Sequence, residues 1–149
     1  MPVMGYARFE RFFRTASGVD VDRNDLKRFL DFVNEAIYHL LVAGQANAEA
    51  NGRDVIARSD LPITAGLQET MHEFRKLDQD IELSAILEDL TARPPLSSAL
   101  SQETQEHLPM VFGGISVALA KTLKILDPRQ RGVPPREWDR AFHILETLI

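Results

Sequence analysis

The chain has 149 residues, 44% hydrophobic and 26% charged, with 17 basic and 22 acidic side chains giving a formal net charge of −5. So much apolar content with so small a charge imbalance excludes a disordered chain, and the length supports one substantial core. The absence of cysteine excludes a disulfide framework, a thiolate metal site and a cysteine nucleophile.

In chain order, Tyr6, Phe9, Phe12 and Phe13 form a short apolar stripe at helical spacing that stops at Ser17-Gly18. Arg8, Arg11 and Arg14 interrupt the apolar residues of this start, which therefore lacks the layout of a signal peptide. Asp22 or Asn24 can cap the next helix, whose stripe is Leu26, Phe29, Leu30, Val33, Ile37, Leu40 and Leu41. The stretch from Asn24 to Ala50 has no proline, and Gly44 is its one interior glycine. At about 1.5 Å per residue it predicts a rod of about 40 Å, closed by Asn51-Gly52. After a link with Val55 and Ile56 in its middle, Ser59 or Asp60 can cap a third helix carrying Leu61, Leu67, Met71 and Phe74. Pro62 is then tolerated in its first turn.

The second half repeats this order. Ile81, Leu83, Ile86, Leu87 and Leu90 predict a short helix ending before Arg93-Pro94-Pro95. Ser101 can start a long helix through Leu108, Val111, Phe112, Ile115, Leu119, Leu123 and Leu126, with a late start or a kink at Pro109. Inside it, Gly113-Gly114 suggest a close helix crossing. Arg129 to Pro135 form a link before a last helix with Trp138, Phe142, Leu145 and Leu148. The only β-like pieces are the links at Asp54–Ala57 and Gly132–Val133, each suited to a short bridge with another extended segment. The fold class is all-α. Its predicted organisation is one unit over 1–149, made of related halves at 1–76 and 77–149. No apolar run approaches the roughly 18 to 20 residues of a membrane span, so no membrane partner is expected.

Short, long and short helices with an extended link before the third resemble the order of the histone fold. The local sequence is similar too: Gly52-Arg53 followed by Asp60-Leu61 matches the archaeal histone pattern, with Val55-Ile56 where that family has a small β-bridge. Phe12 to Ser17 resembles the end of the first histone helix. The whole resembles the bacterial family in which two histone folds are fused in one polypeptide. This implies two tandem histone folds packed crosswise as a monomeric handshake pseudodimer, free to self-associate further. It also implies a clamp in which Arg53 meets Asp60 across the turn. In the second half Gln130 and Glu137 fall opposite Arg53 and Asp60, with Arg129 and Arg131 flanking the gap.

The charge pattern divides the functional reading. Residues 1–75 hold 9 basic and 11 acidic side chains, and residues 76–149 hold 8 and 11, so neither half has the basic excess of a strong nucleic-acid binder. Family histones hold DNA through link-region cations, helix N-termini and a minor-groove arginine. Here the first link is acidic at Asp20 and Asp22, and Asp54 follows Arg53. The candidate DNA contacts are Arg129, Arg131 and Arg136, with Arg8, Arg11 and Arg14 as a second group. One reading is a histone-like protein that binds duplex DNA weakly, without nucleosomal wrapping, in the cytoplasm or nucleoid. The alternative is an acidic protein-interaction module without DNA binding. No enzyme or cofactor is expected: His39, His72, His107 and His143 are lone residues on helical stretches, and Lys76 occupies the position where a zinc-protease helix needs its second histidine.

Overall fold

The computed structural model describes residues 5–77, 96, 98–128 and 132–149. The predicted helix over Ile81–Leu90 and the arginines Arg129 and Arg131 lie outside the described residues. Within them the protein is mostly helical, with one two-stranded parallel sheet.

Helix α1 spans Tyr6–Ser17 and ends where Gly18 adopts φ 73°, a left-handed turn that lets its N–H donate to the Arg14 carbonyl. Helix α2 spans Arg23–Ala50. Of its two predicted caps Asp22 is used: its Oδ1 accepts from the Asn24 N–H at 2.8 Å and the Asp25 N–H at 3.1 Å. Asp25 returns the bond by accepting from the Asp22 N–H at 3.0 Å, closing a capping box.

Strand β1, Val55–Ile56, pairs in parallel with β2, Ala99–Leu100. The Val55–Ile56 link thus forms its bridge, whereas Gly132–Val133 lies in no strand. Two residues in front of the Ser101 cap carry no visible period, so β2 leaves no mark in the sequence.

The third helix starts later than its sequence suggests. Arg58–Asp60 form one 3₁₀ turn, and α3 runs over Ala65–Leu77 with Thr64 Oγ1 accepting from the Leu67 N–H at 3.1 Å. The cause is Pro62, which disfavours helical geometry at the residue before it; Leu61 accordingly sits extended at ψ 127°.

Helix α4 spans Gln102–Leu126 and is capped by Ser101, whose hydroxyl accepts from the Thr104 N–H at 3.1 Å. It starts at once rather than after Pro109, which lies inside it. Over an 18-residue window its mean hydropathy is 1.4, enough by length and composition to cross a membrane, yet 61% of that window is buried inside the protein. The reason is its position, since α1, α2, α3 and α5 (Pro135–Leu148) all pack against it. Aromatic rings bind these helices together. Phe29 of α2 meets Phe9 at 5.1 Å, Phe13 at 5.4 Å and Phe112 at 5.9 Å, and Phe13 meets Trp138 at 5.7 Å. Trp138 is fully buried, whereas Leu148 near the end of α5 stays 66% exposed.

Candidate nucleic-acid interface

The link between α2 and α3 is held by one carboxylate. Arg53 donates to Asp60 through both arms of its fork, Nη1 to Oδ2 at 2.7 Å and Nη2 to Oδ1 at 2.6 Å. The Ala57 N–H also donates to Oδ2 at 2.7 Å, and Asn47 donates to the Asp60 carbonyl at 2.7 Å. Asp60 is buried while the Arg53 side chain is 41% exposed. The Arg53 fork and the Ala57 N–H hold the Asp60 carboxyl down at about 2 against an ordinary 3.8. Such a bidentate pair is directional as well as strong, so it fixes the loop and uses up the guanidinium face.

The β1–β2 bridge stands beside this clamp. The Thr104 hydroxyl donates to the Ile56 carbonyl at 2.9 Å, and the Ser98 N–H donates to Gln45 Oε1 at 3.0 Å. Arg58, the other cation of this link, lies 3.7 Å from Glu103 of α4. Both described arginines of this link, Arg53 and Arg58, therefore face a carboxylate.

The other predicted positions follow suit in part. Arg14 lies 3.4 Å from Glu10 and 3.6 Å from Asp20, so the acidic first link partly neutralises it. Arg136 is 3.8 Å from Glu137, and Arg140, which no sequence motif singles out, donates to the same oxygen at 3.0 Å. Glu137 is buried, and its Oε2 has no hydrogen-bond partner among the described residues. Arg8 is half-buried. Arg11 is exposed and has no ion pair among the described residues. Among the described residues, Arg8, Arg11 and Arg14 share α1, and Arg136 sits at the start of α5. Arg58 and Arg140 escape sequence reasoning because their partners define them. The Glu137/Arg140 spacing of three residues is the one local signal available.

Residues 9–146 match the family described as "Domain of unknown function (DUF1931)". Two proteins of Aquifex aeolicus (strain VF5), each named an uncharacterized protein, are similar to this chain. One is 28% identical over 120 residues, covering 80% of this chain and 70% of the relative. The other is 30% identical over 134 residues, covering 81% and 78%. Among solved structures, a crystal structure of a Thermus thermophilus protein superposes with a TM-score of 0.95 at 44% identity, covering 99% of each chain. A crystal structure of an Aquifex aeolicus protein superposes at 0.83 with 24% identity, covering 100% of this chain and 98% of the other, and shares the fold.

Proposed function

The chain belongs to the DUF1931 family, and we propose that it is a histone-like handshake pseudodimer serving as a non-enzymatic protein-assembly module of the cytoplasm. The crosswise embrace of residues 1–76 and 77–149 is supported by the parallel pairing of Val55–Ile56 with Ala99–Leu100, which joins the second link of one half to the first link of the other. At another place the relation is mirrored: Val19, from the first link of the first half, lines a small cavity with Val133 and Pro134 from the second link of the second. Packing of both long helices and α3 onto one core supports it too.

The observation that carries the assembly role is the internal pairing, among the described residues, of three link-region arginines: Arg53 with Asp60, Arg58 with Glu103, and Arg136 with Glu137. A carboxylate beside a guanidinium partly cancels its field, so each such arginine contributes less to holding a run of phosphates. With fewer phosphates neutralised, both the affinity for DNA and its salt dependence fall. A second reading, weak duplex binding, rests on Arg11, which is exposed and without an ion pair among the described residues, and on Arg129 and Arg131, which lie outside them. Gel retardation of a duplex at low and moderate salt, with light scattering of the free protein, separates the two. The assembly role predicts no retardation at low salt and a defined solution species. Retardation that fades steeply with salt and vanishes in Arg11→Glu or Arg129→Glu/Arg131→Glu would instead establish DNA binding.

A further inference from the structure

Beside the clamp, the 3₁₀ turn, α3 and α4 surround an open cleft of about 670 Å³. Helix geometry explains its lining. Gln68, His72 and Arg75 recur at helical spacing on one face of α3, while Glu103 and His107 stand one turn apart on α4. Arg58 enters from the turn, and Leu61, Ile63 and Met71 supply an apolar side.

Three features set this cleft apart. It concentrates Arg58 and Arg75 on a protein whose net charge is −5, with Glu103 as its one acidic lining residue. Arg75 is exposed and has no ion pair among the described residues. His107 is only 8% exposed, and its ring makes no hydrogen bond to a described residue. His107 lines the cleft, so its ring is presented to whatever enters there. Burial, then Arg58 and Arg75, lower the His107 pKa, against an opposing pull from Glu103. The ring in its neutral form holds one N–H to donate into the cleft.

We propose that this cleft binds a small phosphate-bearing organic molecule. The phosphate oxygens take the guanidinium N–H groups of Arg58 and Arg75 and the ring N–H groups of His72 and His107. The organic body lies on Leu61, Ile63 and Met71. Guanidinium forks match phosphate geometry, and the volume falls in the usual small-ligand range of roughly 300 to 1,000 Å³. Glu103, 3.7 Å from Arg58 and 71% exposed, has to swing out to solvent for a phosphate to take Arg58, and the apolar side of the cleft suits a discrete organic ligand better than a nucleic-acid backbone. This site is separate from the assembly role and does not depend on it.

The test follows the imidazole C–H signals of His72 and His107 by NMR in the full chain, titrated with AMP, inorganic phosphate, adenosine and a short duplex. AMP is expected to shift both signals saturably, inorganic phosphate to do so more weakly, and adenosine to leave them in place. Arg58→Gln/Arg75→Gln should weaken AMP binding at least about tenfold. Arg75→Gln alone, at an exposed side chain, should weaken it with the thermal melt unchanged, and it covers the case of a double variant that does not fold. The proposal is overturned by an absence of saturable shifts with AMP, by an equal response to adenosine, by phosphate binding as tightly as AMP, by unaltered affinity in the variants, or by a duplex that displaces AMP.

Discussion

The crossing of α3 over α4 makes a quantitative demand on Gly114. A Cβ added there would stand 3.1 Å from both the N and the Cα of Met71 and would overlap that residue's side chain. Met71 Cγ can rotate away, but its backbone is fixed within α3, so Gly114→Ala must push one helix off the other. Overpacking of this kind costs about 1–3 kcal/mol. Replacing glycine by alanine inside a helix returns about 1 kcal/mol. The net is a loss of up to about 2 kcal/mol, or at most roughly 4–8 °C in melting temperature at about 2–4 °C per kcal/mol for a chain of this size. Gly66, also in α3, is the internal control, because a Cβ there meets nothing within 4 Å. Gly66→Ala should therefore stabilise by about 0.4–1 kcal/mol. Urea melts followed by circular dichroism measure both. If Gly114→Ala stabilised the protein as much as Gly66→Ala, the close crossing would be refuted.

The clamp predicts acid sensitivity. Asp60 is held at about 2 in the folded chain against an ordinary 3.8, so its stabilisation is complete above the higher value and disappears as pH falls through the lower. Urea midpoints should drop between these values in the native chain and drop less in Asp60→Asn, which should already be weaker at pH 7; equal slopes in the two proteins would contradict the clamp. Ser101→Ala removes the cap of α4 and should destabilise by about 1 kcal/mol in the same melts, whereas an unchanged midpoint would remove Ser101 from that role.

Most of the helical architecture is legible in the sequence because burial follows period. The stripe from Phe29 through Leu41 and that from Leu108 through Leu123 are buried in the structure. Gly18 and Gly52, at φ 73° and 72°, end helices where their place after an apolar stripe predicts an end. The start of α3 is not legible in the same way, because Asp60 resembles a cap while Pro62 removes the helical geometry that a cap at Asp60 would need. The site is less legible than the fold. Arg53 and Asp60 are seven residues apart, and a loop can bring them together without knowledge of the rest. Arg58 and Glu103 meet only through tertiary packing, and so do the two helix faces of the cleft. Counting arginines along the chain therefore overstates the available positive charge, since the partners that cancel it lie elsewhere in sequence.

In the proposed pseudodimer each half covers its apolar rod with the other. Separating the halves would part Phe29 of α2 from Phe112 of α4, and Phe13 of α1 from Trp138 of α5. The deciding measurement cuts the chain after α3, at Leu77, and expresses the two pieces separately and together. Neither piece should fold cooperatively alone, and the mixture should form a one-to-one complex with the circular dichroism of the intact chain. A single piece that is monomeric, helical and melts cooperatively by itself would contradict the pseudodimer.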